Sequence, residues 1–278
     1  LIIGMAVCMA YAYLRAKSIG LSNNAIYDVG LLSVVFGLLG ARAFYLYFDH
    51  YPVGGIGNSH AEWFEIGQGG LSFYGGLGIG LIAATIYLKI KKVSLAQMAD
   101  IYAIPLTLGL AVGKIGCLLN GCCWGKISPK WFPWGMYFPE ETDVMSKQWI
   151  DFGDKPEVWD ELMPQLGYLA DATPELPVYP TQIISMAGLL FVAAGLMFVE
   201  KWGKNRIAGQ IFVLFIAAYS IGRFFSEFLR DDTPNVLGWS SFPGLHSGQW
   251  LSLMTLAFAV IAQIHLKLNS TRALNART

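Results

Sequence analysis

Seven apolar stretches, at about 1–16, 26–48, 69–90, 97–118, 182–200, 208–228 and 247–266, recur along this chain with polar connections between them. A helix that crosses a bilayer needs about 20 predominantly apolar residues, and most of these stretches reach that length. They predict an all-α polytopic membrane protein with seven transmembrane helices. The composition agrees: 55% of residues are hydrophobic and only 14% are charged, against a soluble norm of about 25% charged. The opening LIIGMAVCMAYAYL supplies about 14 apolar residues where a span needs about 20, which predicts that the start of the protein precedes Leu1. The alternative, the core of a signal peptide, lacks a following small-residue cleavage pattern, and six more apolar segments come after it.

Lysine and arginine gather at alternate connections: Arg15 and Lys17; Lys89, Lys91 and Lys92; Lys201, Lys204 and Arg206; then Lys267, Arg272 and Arg277. By the positive-inside rule these ends are cytoplasmic. The N-terminus is then outside and the C-terminus inside, as an odd number of crossings requires. On the opposite side lies the longest connection, 119–181, read as an extracytoplasmic head insertion between helices four and five of a single membrane domain covering 1–278. Its middle is acidic, and WFPWGMYF at 131–138 places Trp131, Phe132, Trp134, Tyr137 and Phe138 where an interfacial belt would sit. Simple anchoring accounts for that belt. There are no repeats, no heptads, no basic stripe for nucleic acid and no dinucleotide-binding glycine fingerprint. Small-residue pairs such as Gly76 with Gly80 and Gly109 with Gly113 point to close helix packing instead.

Ionisable residues inside membrane helices are costly and usually face a polar cavity, so each one marks a functional candidate. Arg42 lies near the outer end of segment two and Lys114 near the outer end of segment four. Segment six carries Tyr219, Arg223, Glu227 and Arg230 in YSIGRFFSEFLRDD, at spacings of four, four and three that put them on one helix face. An Arg223–Glu227 pair that merely holds helices together is the bland reading. It leaves most of the positive charge of Arg42, Lys114, Arg223 and Arg230 unbalanced near the outer leaflet, and such a surplus invites an anion, the abundant one at that depth being a phospholipid headgroup. GQGGLSFYGGLGIGL, 67–81, adds glycine-rich backbone around Ser72, Tyr74, Gly75 and Gly76 at a helix start, which can point N–H groups at a phosphate. The plain alternative is a turn followed by close helix packing.

Several stretches together resemble the phosphatidylglycerol:prolipoprotein diacylglyceryl transferases of bacterial inner membranes: GGLSFYGGL, GKIGCLLNGCCWGK with the following PKWFPWGMYFP, VYPTQI, GRFFSEFLRDD and SGQWLSL, in order along nearly the whole chain. The resemblance implies a multi-pass protein of the bacterial cytoplasmic (inner) membrane. It implies transfer of diacylglycerol from phosphatidylglycerol to the lipobox cysteine thiol of a preprolipoprotein, forming a thioether and releasing glycerol phosphate. No cofactor or metal is expected, and the partners are phosphatidylglycerol, lipobox segments and the bilayer, not nucleic acid. Carried over by residue, Arg223 and Arg230 stand at the family's segment-six arginines, Arg42 at the arginine of its second helix, and Asn120 and Gly121 at its asparagine–glycine turn. Lys114 stands where the family has arginine, Glu227 would orient the arginines, and Gln182 falls within VYPTQI. With Tyr219, Gly75 and Gly76 these make the expected phospholipid site, and Arg223, Lys114 and Tyr74 the expected catalytic set.

The chain departs from the family at informative positions. Tyr74 replaces a histidine that is a candidate base for the thiol, and a phenol with an ordinary pKa near 10 is a poor base at neutral pH unless cations depress it. Lys114 offers a point charge in place of a bidentate fork. The resemblance implies that the family's tyrosine–glycine pair at the start of helix one would fall before Leu1. Cys117 and Cys122 stand where better-known members have asparagine and glutamate. Three readings of the cysteines stay open: small pocket-wall residues, a disulfide from Cys117 to Cys122 or Cys123, and a metal or redox site. Adjacent Cys122 and Cys123 do not readily bridge each other, and zinc lacks a nearby fourth ligand, with Cys8 far off in segment one. Two rivals from other classes are a non-catalytic lipid-binding paralogue of the same fold and a membrane thiol oxidoreductase. The latter needs a CxxC pair, which the chain does not contain.

Overall fold

The computed structural model describes residues 2–19, 23–50, 72–139, 164–165, 176–203, 206–230 and 245–275. Among them are seven long α-helices: α1 (Ile2–Ile19), α2 (Asn23–Phe44), α3 (Phe73–Ile90), α4 (Leu95–Leu119), α5 (Thr181–Trp202), α6 (Gln210–Ser226) and α7 (Ser247–Asn275). Each coincides with one apolar stretch of the sequence. A π-helical turn, Tyr45–His50, continues α2, and a short 3-10 turn, Glu227–Leu229, follows α6. Five helical segments, Asn24–Tyr47, Leu95–Leu119, Thr181–Trp202, Gln210–Leu229 and Gly248–Thr271, are long and apolar enough to cross a membrane, whereas Ile2–Arg15 and Gly75–Ile90 are shorter apolar helices. The acidic part of the expected head, from Glu140 to Glu161, lies outside the described residues.

Large apolar side chains cover the outside of these helices: Phe191 is 81% exposed, Ile261 65% and Phe258 62%. Buried positions include Arg42, Gln182, Glu227, Arg230, Gln249 and Ser252. A water-soluble domain sorts its residues the other way, and apolar patches of this extent mark a surface meant for lipid or a partner. With the five apolar spans, this makes the chain a helical membrane protein.

The chain forms two compact units, residues 9–102 and residues 1–8 with 103–278. In the first, α2 and α3 lie backbone against backbone. A Cβ on Gly40 would meet the Gly75 carbonyl at 2.7 Å, one on Gly76 would lie 3.1 Å from the Gly37 carbonyl, and one on Gly80 3.1 Å from the Ser33 carbonyl. Lipid tails give no hydrophobic drive for helices to associate, so small residues that permit such approach supply the packing energy. Below this seam a core of Ala12, Ile26, Val29, Ala84, Leu88, Met98 and Ile101 closes the unit. Pro105, inside α4, has no N–H to give the Ile101 carbonyl. The buried Arg15 guanidinium takes over, donating to the Ile101 and Asp100 carbonyls at 2.7 Å each. Tyr87 donates to Asp28 in the same unit.

In the second unit, Gly4 and Gly109 face each other, a Cβ on Gly109 falling 3.0 Å from the Gly4 carbonyl, while the space beside Gly113 is open. A Cβ on Gly4 would also lie 3.8 Å from Gly113 N, so the expected packing at small residues is tight at Gly109 and looser at Gly113. Helices α6 and α7 are joined by a Ser220–Thr255 hydroxyl hydrogen bond of 2.7 Å.

Candidate functional site

The second unit gathers most of the polar residues singled out by sequence, beginning with the end of α4. Gly121 adopts φ 64°, a left-handed conformation that glycine reaches without steric cost. The Gly121 amide donates to the Leu118 carbonyl at 3.3 Å and the Cys122 amide reaches back to the Cys117 carbonyl at 3.0 Å, closing the helix with a paired glycine cap. Asn120 is exposed and Gly121 buried, so the asparagine–glycine turn forms as expected.

The chain leaving that cap is clamped from two sides. The Lys126 amide donates to the Leu229 carbonyl at 2.8 Å, and the Tyr179 amide to the Lys126 carbonyl at 3.0 Å. Gly125 pairs with Arg230 in an isolated bridge, and no larger residue fits there, since its Cβ would sit 2.6 Å from both Tyr179 Cβ and the Tyr179 carbonyl. At the start of α5, the Thr181 hydroxyl donates to the Cys123 carbonyl at 2.7 Å and Gln182 Nε2 donates to the Cys122 carbonyl at 2.8 Å. Gln182 is 1% exposed. The structure therefore makes it a brace for the cysteine turn. Beyond the turn, Phe132 packs edge-on against Tyr179 at 4.9 Å, while Trp131, Trp134 and Tyr137 stay exposed, consistent with an interfacial belt.

Helix α6 ends sooner than its spacing predicts. It stops at Ser226, Glu227–Leu229 tightens into a 3-10 turn and Arg230 is extended at φ −87°, ψ 148°. Tyr219, Arg223, Glu227 and Arg230 consequently do not form one continuous face: Tyr219 is exposed, Arg223 half-buried, and Glu227 and Arg230 buried. A 3-10 turn rotates the chain by about 120° per residue, and the bridge to Gly125 carries Arg230 off the helix. The Arg223–Glu227 ion pair does form, at 2.8 Å, with the carboxylate 1% exposed.

Glu227 has a second neighbour that the sequence reading missed. A Cβ on Gly248 would lie 2.7 Å from the Glu227 carboxyl carbon, so the carboxylate rests on the backbone at the start of α7. The adjacent Gln249, 1% exposed, accepts a hydrogen bond from the His246 amide through Oε1 at 2.9 Å and so satisfies a donor that the helix start leaves orphaned. The available signal was SGQWLSL: a glycine and a glutamine directly before an apolar run.

Lys114 is half-buried in the last turns of α4. Its charge and that of Arg230 both act on the Cys123 thiol. The Sγ atoms of Cys117, Cys122 and Cys123 lie within 4.8 Å of one another, and all four cysteines are free thiols. Hydrogen bonds from Cys117 and Cys122, reinforced by Lys114 and Arg230, hold the Cys123 thiol well below its ordinary range despite its burial. The same network pushes Cys122 up.

Arg42, Tyr74, Gly75 and Gly76 belong to the first unit. Arg42 is 6% exposed in the last turn of α2, with its guanidinium 5.5 Å from the Tyr45 ring centre. Tyr74 lies in the first turn of α3. Gly75 and Gly76 serve the α2–α3 seam, since a Cβ on Gly75 would collide with Phe44 and with the Gly40 carbonyl. The packing role set beside phosphate binding for these two glycines is thus visible, and residues 67–71 lie outside the described residues.

The family model of prolipoprotein diacylglyceryl transferases matches residues 1–265. Among curated relatives, a phosphatidylglycerol–prolipoprotein diacylglyceryl transferase of Nocardia farcinica is 30% identical over 233 residues, covering 84% of this chain but only 44% of its own length. The Chromobacterium violaceum enzyme of that name is 32% identical over 233 residues, 82% of this chain and 73% of its own. That of Burkholderia mallei is 30% identical over 273 residues, 95% of this chain and 87% of its own.

Proposed function

Since the chain belongs to the prolipoprotein diacylglyceryl transferase family, we propose that it transfers diacylglycerol from phosphatidylglycerol to the lipobox cysteine of preprolipoproteins. The observation that carries this reading is a family match running through nearly every helix, residues 1–265. In the reaction the cysteine sulfur attacks the diacylglyceryl carbon that bears the phosphate. A C–S bond forms, the C–O bond to phosphate breaks, and the thiol proton goes to a base or solvent as glycerol phosphate leaves. Negative charge grows on the phosphate oxygens, and fixed cations aimed there lower the barrier.

Within the second unit, Arg223 and Lys114 are the residues we assign to that charge. Among the described residues Arg223 pairs at the end of α6 with one buried carboxylate, that of Glu227, which fixes the guanidinium while leaving donors for a phosphate. Arg230 and the Asn120–Gly121 turn complete the phospholipid site there, with Tyr219 at the lipid-exposed end. Arg42 and Tyr74 are assigned on family position. Seven crossings are assigned from the seven apolar stretches and the bacterial inner membrane from the family, while the lysine and arginine asymmetry supports an outside N-terminus, an extracytoplasmic 119–181 insertion and an inside C-terminus.

The test is rescue of a bacterium depleted of its own transferase, together with assay of the purified protein on phosphatidylglycerol vesicles and a lipobox peptide. A thioether-linked diacylglyceryl peptide is the expected product. Folded protein that binds the phospholipid and yields no thioether would establish the non-catalytic paralogue instead.

A further inference from the structure

Beyond lipid transfer, we propose that Cys117, Cys122 and Cys123 form a binding site for a thiophilic d10 metal ion of the zinc class, with three thiolates as ligands and one position left to water. Local backbone geometry builds the cluster. A glycine cap of the kind that ends α4 brings the second residue after the cap against the one three places before the end. Here those two residues are Cys122 and Cys117, joined by the Cys122 amide to Cys117 carbonyl hydrogen bond of 3.0 Å. Cys123 then takes φ 62°, a left-handed conformation that a side-chain-bearing residue rarely adopts. This turn returns a third sulfur to the first two, all three within 4.8 Å. Three sulfurs bound at about 2.3 Å to one ion sit roughly 3.8–4.0 Å apart, so only a small contraction is needed.

A second layer fixes the ligands. Thr181 and Gln182, from another helix, hold the carbonyls of Cys123 and Cys122 at 2.7 and 2.8 Å, the kind of outer support that orients metal ligands. Gln182 Oε1 is buried without a hydrogen-bond partner among the described residues, which leaves an acceptor beside the turn for a metal-bound water. Lys114 and Arg230 offset the negative charge of a three-thiolate complex. Soft thiolate sets select zinc-like or cuprous ions over magnesium or calcium. The site does not depend on the transfer reaction, and its test does not use that reaction.

Full-length protein in detergent, kept reduced with a phosphine, is titrated with Cd2+ alone, and the ultraviolet thiolate-to-cadmium charge-transfer band is followed with metal analysis of the desalted protein. One tightly held equivalent per chain is expected. Cys117→Ser and Cys123→Ser should each abolish the band, and Cys8→Ser should leave it intact. Absence of the band in the fully reduced parent protein overturns the proposal without reference to any variant. Undiminished cadmium binding in folded Cys117→Ser or Cys123→Ser overturns it as well, as does loss of binding in Cys8→Ser.

Discussion

The α2–α3 seam and the end of α4 are both close approaches of backbone to backbone, and they are held by opposite means. Along the seam Gly37, Gly40, Gly75, Gly76 and Gly80 remove side chains so that two apolar helices touch. At the end of α4 the chain is pinned by hydrogen bonds from Thr181, Gln182 and Tyr179 and bridged at Gly125 to the buried Arg230, which follows the buried Glu227 by three residues. In lipid, van der Waals contact joins helices, and an unpaired polar group is costly. A site dense in polar groups therefore persists only where each group is over-determined by its neighbours. The seam should be sensitive to volume, and the polar end to loss of single donors, acceptors and charges.

The largest effect should appear where the polar end meets a developing anion. Removing one buried donor to such charge costs about 3–4 kcal/mol, or 10² to 10³ in rate. Arg223→Ala and Lys114→Ala should each lower transfer to a lipobox peptide by that factor in protein that still inserts and melts cooperatively. Lys114→Arg should be far milder, since it restores the family's residue. Parent rates in both alanine variants would show that these cations serve packing alone and would erase the contrast between the two regions.

Helix positions were the most legible part of the molecule. Apolar runs at 69–90, 97–118 and 182–200 became helices Phe73–Ile90, Leu95–Leu119 and Thr181–Trp202, because in a membrane protein hydropathy and backbone satisfaction point the same way. The i,i+4 pair Arg223–Glu227 was also legible, being local to one helix. Arg230 was not: periodicity assumes that the helix continues, and the break at Ser226 is imposed by pairing with Gly125, a hundred residues away in sequence. Gly121 announces a helix cap, but nothing in CCW announces a left-handed Cys123. Glu227 resting on Gly248 needs the packing of α6 on α7, which no single segment contains.

Substitutions along the seam should come next in size. A Cβ on Gly75 would overlap Phe44 Cβ and the Gly40 carbonyl, neither of which is the free end of a side chain, while one on Gly78 of the same helix meets nothing within 4 Å. Overpacking of this kind costs typically about 1–3 kcal/mol. Gly75→Ala should lower the melting temperature in detergent by several degrees, and Gly78→Ala should hold or raise it. Equal melts for the two would mean that the seam is not under steric control.

Gly248→Ala carries steric control into the polar end. Its methyl group would displace the Glu227 carboxylate, which is buried and ion-paired to Arg223, so about 1–2 kcal/mol of stability should go, at the lower end of overpacking costs. Transfer should fall further than the stability loss explains, because Arg223 loses its orientation. A variant that melts lower but transfers at the parent rate would separate Glu227 from the function of Arg223.

The smallest effect belongs to Gln249, and its chemistry distinguishes a cap from a charge site. Its side-chain oxygen accepts from the His246 amide at 2.9 Å at the start of α7, a single neutral hydrogen bond whose net contribution is about 0.5–1.5 kcal/mol. Gln249→Ala should cost about that much in a thermal melt. In an isolated helix glutamate would serve equally well or better, since it accepts the same bond and favours the positive end of the helix dipole. Here the Glu227 carboxylate already lies against the preceding residue, Gly248. A second carboxylate beside it adds like-charge repulsion in surroundings that screen poorly, so Gln249→Glu should be no more stable than Gln249→Ala at neutral pH. Its deficit should shrink as the pH falls and the new carboxyl group takes up a proton. A glutamate variant as stable as the parent at neutral pH would mean that the two side chains do not share one electrostatic environment, and the polar end would then be a set of separate contacts.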